Sequence, residues 1–342
     1  MFTRKQILLS TILFIMFLFQ GCSSEDLSEV GPASIISSHE NIHIMDSKDE
    51  ELRLSKIIDI SSRKIIMTYN GGYYPLDIDG KLEVGKEGIN FKNLDGKIIY
   101  ENVVGIIENP PQISIMDVYY KSKEFLDEDE KVMLIFIDGF GWHQYEYLKD
   151  NNSDLYIMKL KGFEKALSVF KPVTNSGYAA MITGEPPYIN GILNRDYREV
   201  KVDTIFSFVK SVDKEAVLIE GNSNIITTGI DPILNLDLNG NGYNDDEVHQ
   251  SALNNIDNKD YIFIHFHGFD DSGHSYGPYG DKTVDKFIEI DKYVEELVSK
   301  WQGKVIITAD HGMHKTEDGG SHGEFRYEDM IVPFGIFEGG KK

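Results

Sequence analysis

A chain of 342 residues, 41% of them hydrophobic and 11% aromatic, is long and apolar enough for one large catalytic domain plus an accessory unit, which excludes wholesale disorder. Its formal net charge of −22 disfavours a broad basic surface for nucleic acid. A protein this acidic that takes an anionic substrate must cancel charge locally, and bound cations do that.

Arg4 and Lys5 precede an apolar stretch at 7–19 that is too short to span a bilayer comfortably and has the layout of a signal h-region. It runs into Leu18-Phe19-Gln20-Gly21-Cys22, which sets the only cysteine where a bacterial lipobox carries its lipidated residue, although Phe19 and Gln20 depart from the usual Leu and small residue. Residues 1–22 are therefore expected to be a lipoprotein-type signal, with Cys22 tethering an exported protein to the outer side of the bacterial cytoplasmic membrane. An uncleaved anchor and a soluble secreted form are the alternatives. Residues 23–37 read as a polar tether.

From 38 to 112 short alternating runs recur at 54–60, 64–69, 97–100 and 103–107, separated by turns such as Asn70-Gly71-Gly72 and Asp95-Gly96. This predicts a small antiparallel β unit that ends at Asn109-Pro110-Pro111. From 113 to 342 the pattern is α/β. Continuous apolar runs at 132–137, 216–219, 261–266 and 305–308 read as buried parallel strands. A helix is expected near 145–149, and another at 282–301, where Val284, Phe287, Ile288, Val294, Leu297 and Val298 recur at helical spacing. Strands alternating with helices imply a mostly parallel sheet covered on both faces.

Asp and His residues follow these runs, where open α/β sheets build their sites. Asp138 begins Asp138-Gly139-Phe140-Gly141, which by itself fits a metal ligand or a plain turn. Thr174 stands where a small, apolar helix begins, and fits an N-cap or a nucleophile at an anion-favouring helix end. Asp270 and His274, four apart, can share one metal. Asp310 and His311 sit together at a strand end, with Gly312 permitting an immediate turn. His322, among small residues, is preferred over His314 to close a second shell, while His265 and His267, alternating with Phe, read as structural. An oxygen and nitrogen set without thiolate suits two divalent metals. A further loop offers Asp237, Asn239, Asn241 and Asp245 as a calcium site with Gly242 at its sixth position, but Val248 stands where the acidic twelfth residue belongs, and a solvated turn fits equally well.

Together these segments resemble the alkaline phosphatase superfamily, and within it the type I phosphodiesterase/nucleotide pyrophosphatase group. The resemblance covers about 131 to 337. It is carried, in the family's order, by Asp138-Gly139, the 174–184 segment with Pro186-Pro187 and Asn190-Gly191-Ile192, Asp270-x-x-x-His274 with Gly277-Pro278, Asp310-His311-Gly312-Met313, and Ser321-His322-Gly323. It implies a mostly parallel central sheet flanked by helices. It implies one metal on Asp270, His274 and His322, and a second on Asp138, Asp310, His311 and the Thr174 oxygen, both usually zinc. It makes Thr174 the nucleophile that forms a phospho-threonine intermediate with a small phosphate-ester substrate.

The chain departs from that group in two places. Asn175-Ser176-Gly177-Tyr178 replaces the usual Phe-Pro-Asn-His, and Asn194, one residue closer than usual, is the nearest phosphoryl-binding amide, with Arg195 and Arg198 beside it. Monoester, diester, phosphonate and phosphotransfer chemistry therefore all stay open. A formylglycine sulfatase is disfavoured, because position 174 is Thr and Cys22 lies in the signal. A non-catalytic, ligand-binding lipoprotein is the rival from another class, and the intact ligand set argues against it.

Overall fold

The computed structural model describes residues 31–45 and 48–340. Cys22, the signal and the first part of the expected tether lie outside the described residues. No described helix is long and apolar enough to cross a membrane.

The N-terminal unit holds nine strands: β1 (Ala33–Ser37), β2 (Asn41–Met45), β3 (Glu51–Arg53), β4 (Lys64–Thr68), β5 (Tyr73–Pro75), β6 (Gly80–Val84), β7 (Ile89–Asn93), β8 (Ile98–Tyr100) and β9 (Val103–Glu108). They form a five-stranded sheet, β2-β1-β9-β4-β5, and a four-stranded sheet, β3-β6-β7-β8. Three expectations need correction. The last five residues of the expected tether are β1, four of them buried, because Ala33 and Ile35 fill the unit's core and Ile36 packs on the opposite face. The unit is not wholly antiparallel, since β1 runs parallel to β9. The run at 54–60 is a 3-10 turn, Leu54–Lys56, followed by loop, with Leu54 alone buried within that turn.

The pleat gives the five-stranded sheet two apolar faces. Ile35, Ile66 and Ile106 pack with Leu82 and Phe91 of the smaller sheet. Ile36, Ile65, Met67, Val104 and Ile107 pack with Leu167, Phe170, Phe325 and Met330 of the following domain. Asn41 bridges the two units, donating to Glu328 Oε2 (2.9 Å) and accepting from Tyr327 N (2.8 Å).

The large domain contains β10 (Ile113–Ser114), α1 (Asp117–Asp127), β11 (Val132–Ile137), α2 (Trp142–Asn151), α3 (Tyr156–Lys159), β12 (Glu164–Leu167), α4 (Thr174–Thr183), α5 (Pro187–Asn190), α6 (Ile205–Ser211), β13 (Ala216–Glu220), β14 (Ile233–Leu234), α7 (Asp245–Asn255), β15 (Tyr261–Phe266), α8 (Gly268–Tyr276), α9 (Asp281–Lys300), β16 (Lys304–Thr308), β17 (His314–Lys315), β18 (Gly320–Ser321), α10 (Tyr327–Met330) and β19 (Ile331–Glu338). Eight strands make one sheet in the order β10-β12-β19-β16-β11-β15-β13-β14. Only β19 runs against its neighbours, so the sheet is mostly parallel, as expected. Every residue of β11 and β15 is buried, which is why these strands read as unbroken apolar runs. The helix α9 covers the sheet with Phe287, Ile290, Val294, Leu297 and Val298.

Register positions the site. Ile137 pairs with Phe266 across β11 and β15, and Phe136 with Thr308 across β11 and β16. Asp138, His267 and Asp310 therefore leave three adjacent strands at one level.

Candidate metal centre

Three carboxylates and three imidazoles meet at these strand ends. The ligand atoms of Asp138, Asp310 and His311 lie within 4.8 Å of one another, and so do those of Asp270, His274 and His322. The second trio is built by α8, which carries Asp270 and His274 one turn apart, and by the loop after β18, which brings in His322. The trios touch, since the His311 and His322 rings stack at 3.7 Å, and within the first trio His311 Nε2 is 3.5 Å from Asp138 Oδ1.

Close approach of backbone to ligands explains the glycines here. Gly139 adopts φ +71°, its N–H donates to Asp310 Oδ1 (3.2 Å), and a side chain on it would fall 2.7 Å from Asp270 Oδ1. A Cβ on Gly177 would lie 2.6 Å from the Cβ of Asp310 and 2.8 Å from its backbone oxygen, so the first turn of α4 rests on the base of this residue. Thr174, 6% exposed, is the first residue of that helix, and Val173 before it lines the cavity over the centre.

The donor set fits cations on two grounds. Asp138 Oδ1, Asp270 Oδ1, Asp310 Oδ2 and His311 Nε2 are buried with no hydrogen-bond partner. Buried polar atoms are otherwise almost always satisfied, so a cluster of orphans marks a place for an ion. The three imidazoles are also oriented alike. His274 Nδ1 faces Gly320 O, His311 Nδ1 faces Gly312 O and His322 Nδ1 faces Pro172 O, each at 3.0 Å. A carbonyl only accepts, so each Nδ1 carries the proton and each Nε2 turns its lone pair to the cluster, the usual arrangement of a metal-binding histidine.

Electrostatics agree. Burial, with Asp138 next to it, raises the Asp310 carboxyl to about 7. Burial, with His311 stacked on it, lowers His322 to about 3, which keeps its Nε2 unprotonated. Burial opposes the charge on Asp138, but His267 and His265 outweigh it and hold this carboxyl well below its ordinary range.

His265 and His267, expected to be structural, are both drawn into the site. His267 Nδ1 is 2.6 Å and His265 Nε2 3.0 Å from Asp138 Oδ2. His265 continues into a buried chain: its Nδ1 is 2.7 Å from Glu220 Oε2, and Tyr178 Oη donates to Glu220 Oε1 at 2.6 Å. Burial disfavours charge on His265, yet Glu220 and Asp138 push it up to about 9. Tyr178 lies one turn after Thr174 on α4, so the chain links the helix of Thr174 to Asp138. Sequence reasoning passed over Glu220 and Tyr178. The one signal for Glu220 was a carboxylate closing an apolar strand.

Among the remaining expected residues, Asn194 and Arg195 line a cavity of about 510 Å3 that also exposes His274 and His322, and Arg195 Nη2 is 2.7 Å from His322 Nε2. Arg198 instead donates to the carbonyls of Asn224 and Ile225. His314 is absorbed by Asp329 at 2.8 Å. The expected calcium loop is not assembled as read. Asp237 accepts from the N–H groups of Gly240, Asn241 and Gly242, and Asn239 and Asn241 donate to Asp246. Asp245 points away: fully buried, it accepts from His267 N and Gly268 N and lies 3.5 Å from Lys286 Nζ. It caps the N-terminus of α8 instead, although burial there raises its carboxyl.

The type I phosphodiesterase / nucleotide pyrophosphatase family model matches residues 230–333, a stretch that includes five of the six trio residues but neither Asp138 nor Thr174. Over 83 residues the chain is 40% identical to GPI ethanolamine phosphate transferase 1 of Yarrowia lipolytica, covering 22% of this chain and 9% of that protein. Over 79 residues it is 44% identical to the Candida glabrata protein of the same name, covering 21% and 8%. The match thus spans about a tenth of these relatives' length. Phosphonoacetate hydrolase from Sinorhizobium meliloti, solved with phosphonoformate, is similar at TM-score 0.43 and 16% identity over 54% of this chain and 56% of that one. Murine ectonucleotide pyrophosphatase/phosphodiesterase 5, solved as an inactive variant with AMP, is similar at TM-score 0.44 and 19% identity over 55% and 58%.

Proposed function

On a chain that carries the type I phosphodiesterase / nucleotide pyrophosphatase match over 230–333, we propose a metal-dependent phosphate-ester hydrolase with Thr174 as nucleophile. The observation that carries it is the contiguous set of buried, unbonded ligand atoms on Asp138, Asp270, Asp310 and His311. Asp138, Asp310 and His311 would hold one divalent cation, with the Thr174 oxygen beside it, and Asp270, His274 and His322 a second. Zinc suits this nitrogen and oxygen set. When bound, the cations supply charge compensation for the phosphoryl group and acidify the neighbouring hydroxyl.

The chain's own residues do the rest. The N-terminus of α4 favours phosphoryl oxygens at Thr174. In the proposed reaction Thr174 Oγ1 bonds to phosphorus, and the ester oxygen leaves with its electron pair and ends protonated as the free alcohol. Water then displaces Thr174 from phosphorus, restoring the hydroxyl. Arg195, in the cavity wall, neutralises phosphoryl charge, and Asn194 beside it offers a neutral donor.

The test is turnover of p-nitrophenyl phosphate and bis-p-nitrophenyl phosphate by detergent-solubilised, zinc-loaded full chain, with and without chelator. Chelator-sensitive release of nitrophenol supports the reading, and the rate ratio separates monoester from diester chemistry. Two bound metals without turnover would sink the hydrolase. A phosphotransferase is the second reading, supported by the matched relatives, which are named GPI ethanolamine phosphate transferase 1. It predicts that an added alcohol accelerates nitrophenol release and collects the phosphoryl group. We also propose that Cys22 carries the membrane anchor: Cys22→Ser should move the protein from the membrane fraction to the soluble fraction, and a mutant that stays with the membrane refutes it.

A further inference from the structure

We propose that the N-terminal β unit completes the substrate pocket, with Tyr69 as a specificity-determining residue that packs against a planar ring on the ester group of the substrate. The inference rests on the phosphate-ester reading of the site.

The cavity over the metal centre is walled by two units of the fold. His274 and His322 come from the centre itself, Lys171, Arg195 and Tyr197 from the loops around it, and Tyr69 from the turn between β4 and β5 of the N-terminal unit. The His322 side chain is 1% exposed and marks the floor, whereas Tyr69, 69% exposed, stands at the rim. Cavities of roughly 300–1,000 Å3 hold drug-sized ligands. A space of about 510 Å3 therefore has room for a phosphoryl group on the floor and a sizeable ester group above it. Lys171 and Arg195 in the wall suit the phosphoryl charge, and the Tyr69 and Tyr197 rings present flat apolar faces with polar ends.

The backbone at Tyr69 is held in place before any ligand arrives. Its N–H donates to Asn102 O (2.8 Å) on the neighbouring chain segment. Its turn is closed by Gly71 N to Thr68 O (2.9 Å) and Thr68 N to Gly72 O (3.1 Å), and Asn70 Oδ1 accepts from Thr68 Oγ1 at 2.6 Å. The turn also sits directly on the large domain. Gly71, at φ +78°, leaves no room for a side chain, since a Cβ would fall 2.6 Å from Pro187 Cβ, and the Tyr74 ring lies 5.6 Å from that of Tyr188. With the backbone pinned, binding has only the side-chain torsions of Tyr69 left to order.

The experiment is calorimetric binding of phenylphosphonate and methylphosphonate, neither of which carries an ester bond, to zinc-loaded full chain in wild-type, Tyr69→Ala and Tyr69→Phe forms. The ring contact predicts that Tyr69→Ala lowers the phenyl-to-methyl affinity ratio at least threefold and that Tyr69→Phe restores it, with metal content unchanged in both. A ratio unchanged in Tyr69→Ala, or an equal weakening of both ligands, overturns the role of Tyr69 while leaving the site's reading intact. Wild-type protein that holds zinc but binds neither phosphonate overturns the phosphate-ester reading, and the role of Tyr69 with it.

Discussion

At the strand ends, Asp138, Asp270 and Asp310 each keep a buried oxygen without a hydrogen bond. In the loop at 237–246, Asp237 instead gives both oxygens to its own backbone amides, and Asp246 takes the amide hydrogens of Asn239 and Asn241. Both regions are rich in acidic and amide groups. Only the first gathers several unsatisfied acceptors in one cluster where water cannot reach, at a cost that a bound cation removes, whereas the single buried orphan of the second, Asp245 Oδ2, lies 3.5 Å from Lys286 Nζ. Composition alone does not separate a ligand set from a self-satisfied turn; the hydrogen-bond ledger does.

Four substitutions sharpen or break that contrast. The largest effect belongs to Thr174→Ala, which should lower turnover by about 10³-fold or more while zinc content and Tm stay near wild type. Turnover within tenfold of wild type would remove Thr174 from its role. Asp310→Asn should cost at least one zinc per chain, measured by atomic emission. It should also raise the Tm of metal-free protein, because one of three mutually repelling buried carboxylates is gone. Unchanged zinc with a lowered Tm would make Asp310 a structural residue.

Glu220→Gln tests the buried chain behind Asp138. Groups that orient a metal ligand typically contribute about 10–100-fold in affinity, so zinc should bind at least tenfold more weakly, with far-ultraviolet dichroism unchanged. Zinc affinity equal to wild type would restrict Glu220 and His265 to packing. The smallest effect is expected at Asp237→Ala. Zinc content should not change, and stability should fall by about 1 kcal/mol through loss of hydrogen bonds that hold an exposed turn. Loss of zinc there would erase the distinction between the two regions.

Residues that follow an unbroken apolar run were legible in the sequence, because a strand buried on both faces leaves a local trace. The run at 261–266 is β15 residue for residue, and the helix expected at 282–301 is α9, shifted by one. Asp138, Asp310 and His311 could be singled out because they stand at the end of such a run, and Asp270 and His274 because they follow one within a few residues, whereas His322 stood out only by its small neighbours. The parallel pairing of β1 with β9 was not legible, because 33–37 is a short run far in sequence from its partner.

What the sequence by itself determined is the set of ligand types and their places after the strands, since these follow from periodicity over a few neighbouring residues. Only the tertiary structure decided which polar residues join them. Strand register, fixed by packing between distant segments, sets Glu220 beside His265 and His267 beside Asp138, and the docking of two units brings Tyr69 to the cavity. Asp245 shows the reverse, a residue in a ligand-like loop that the fold diverts to the start of α8, where Lys286 and the N–H groups of His267 and Gly268 offset part of the burial that raises its carboxyl.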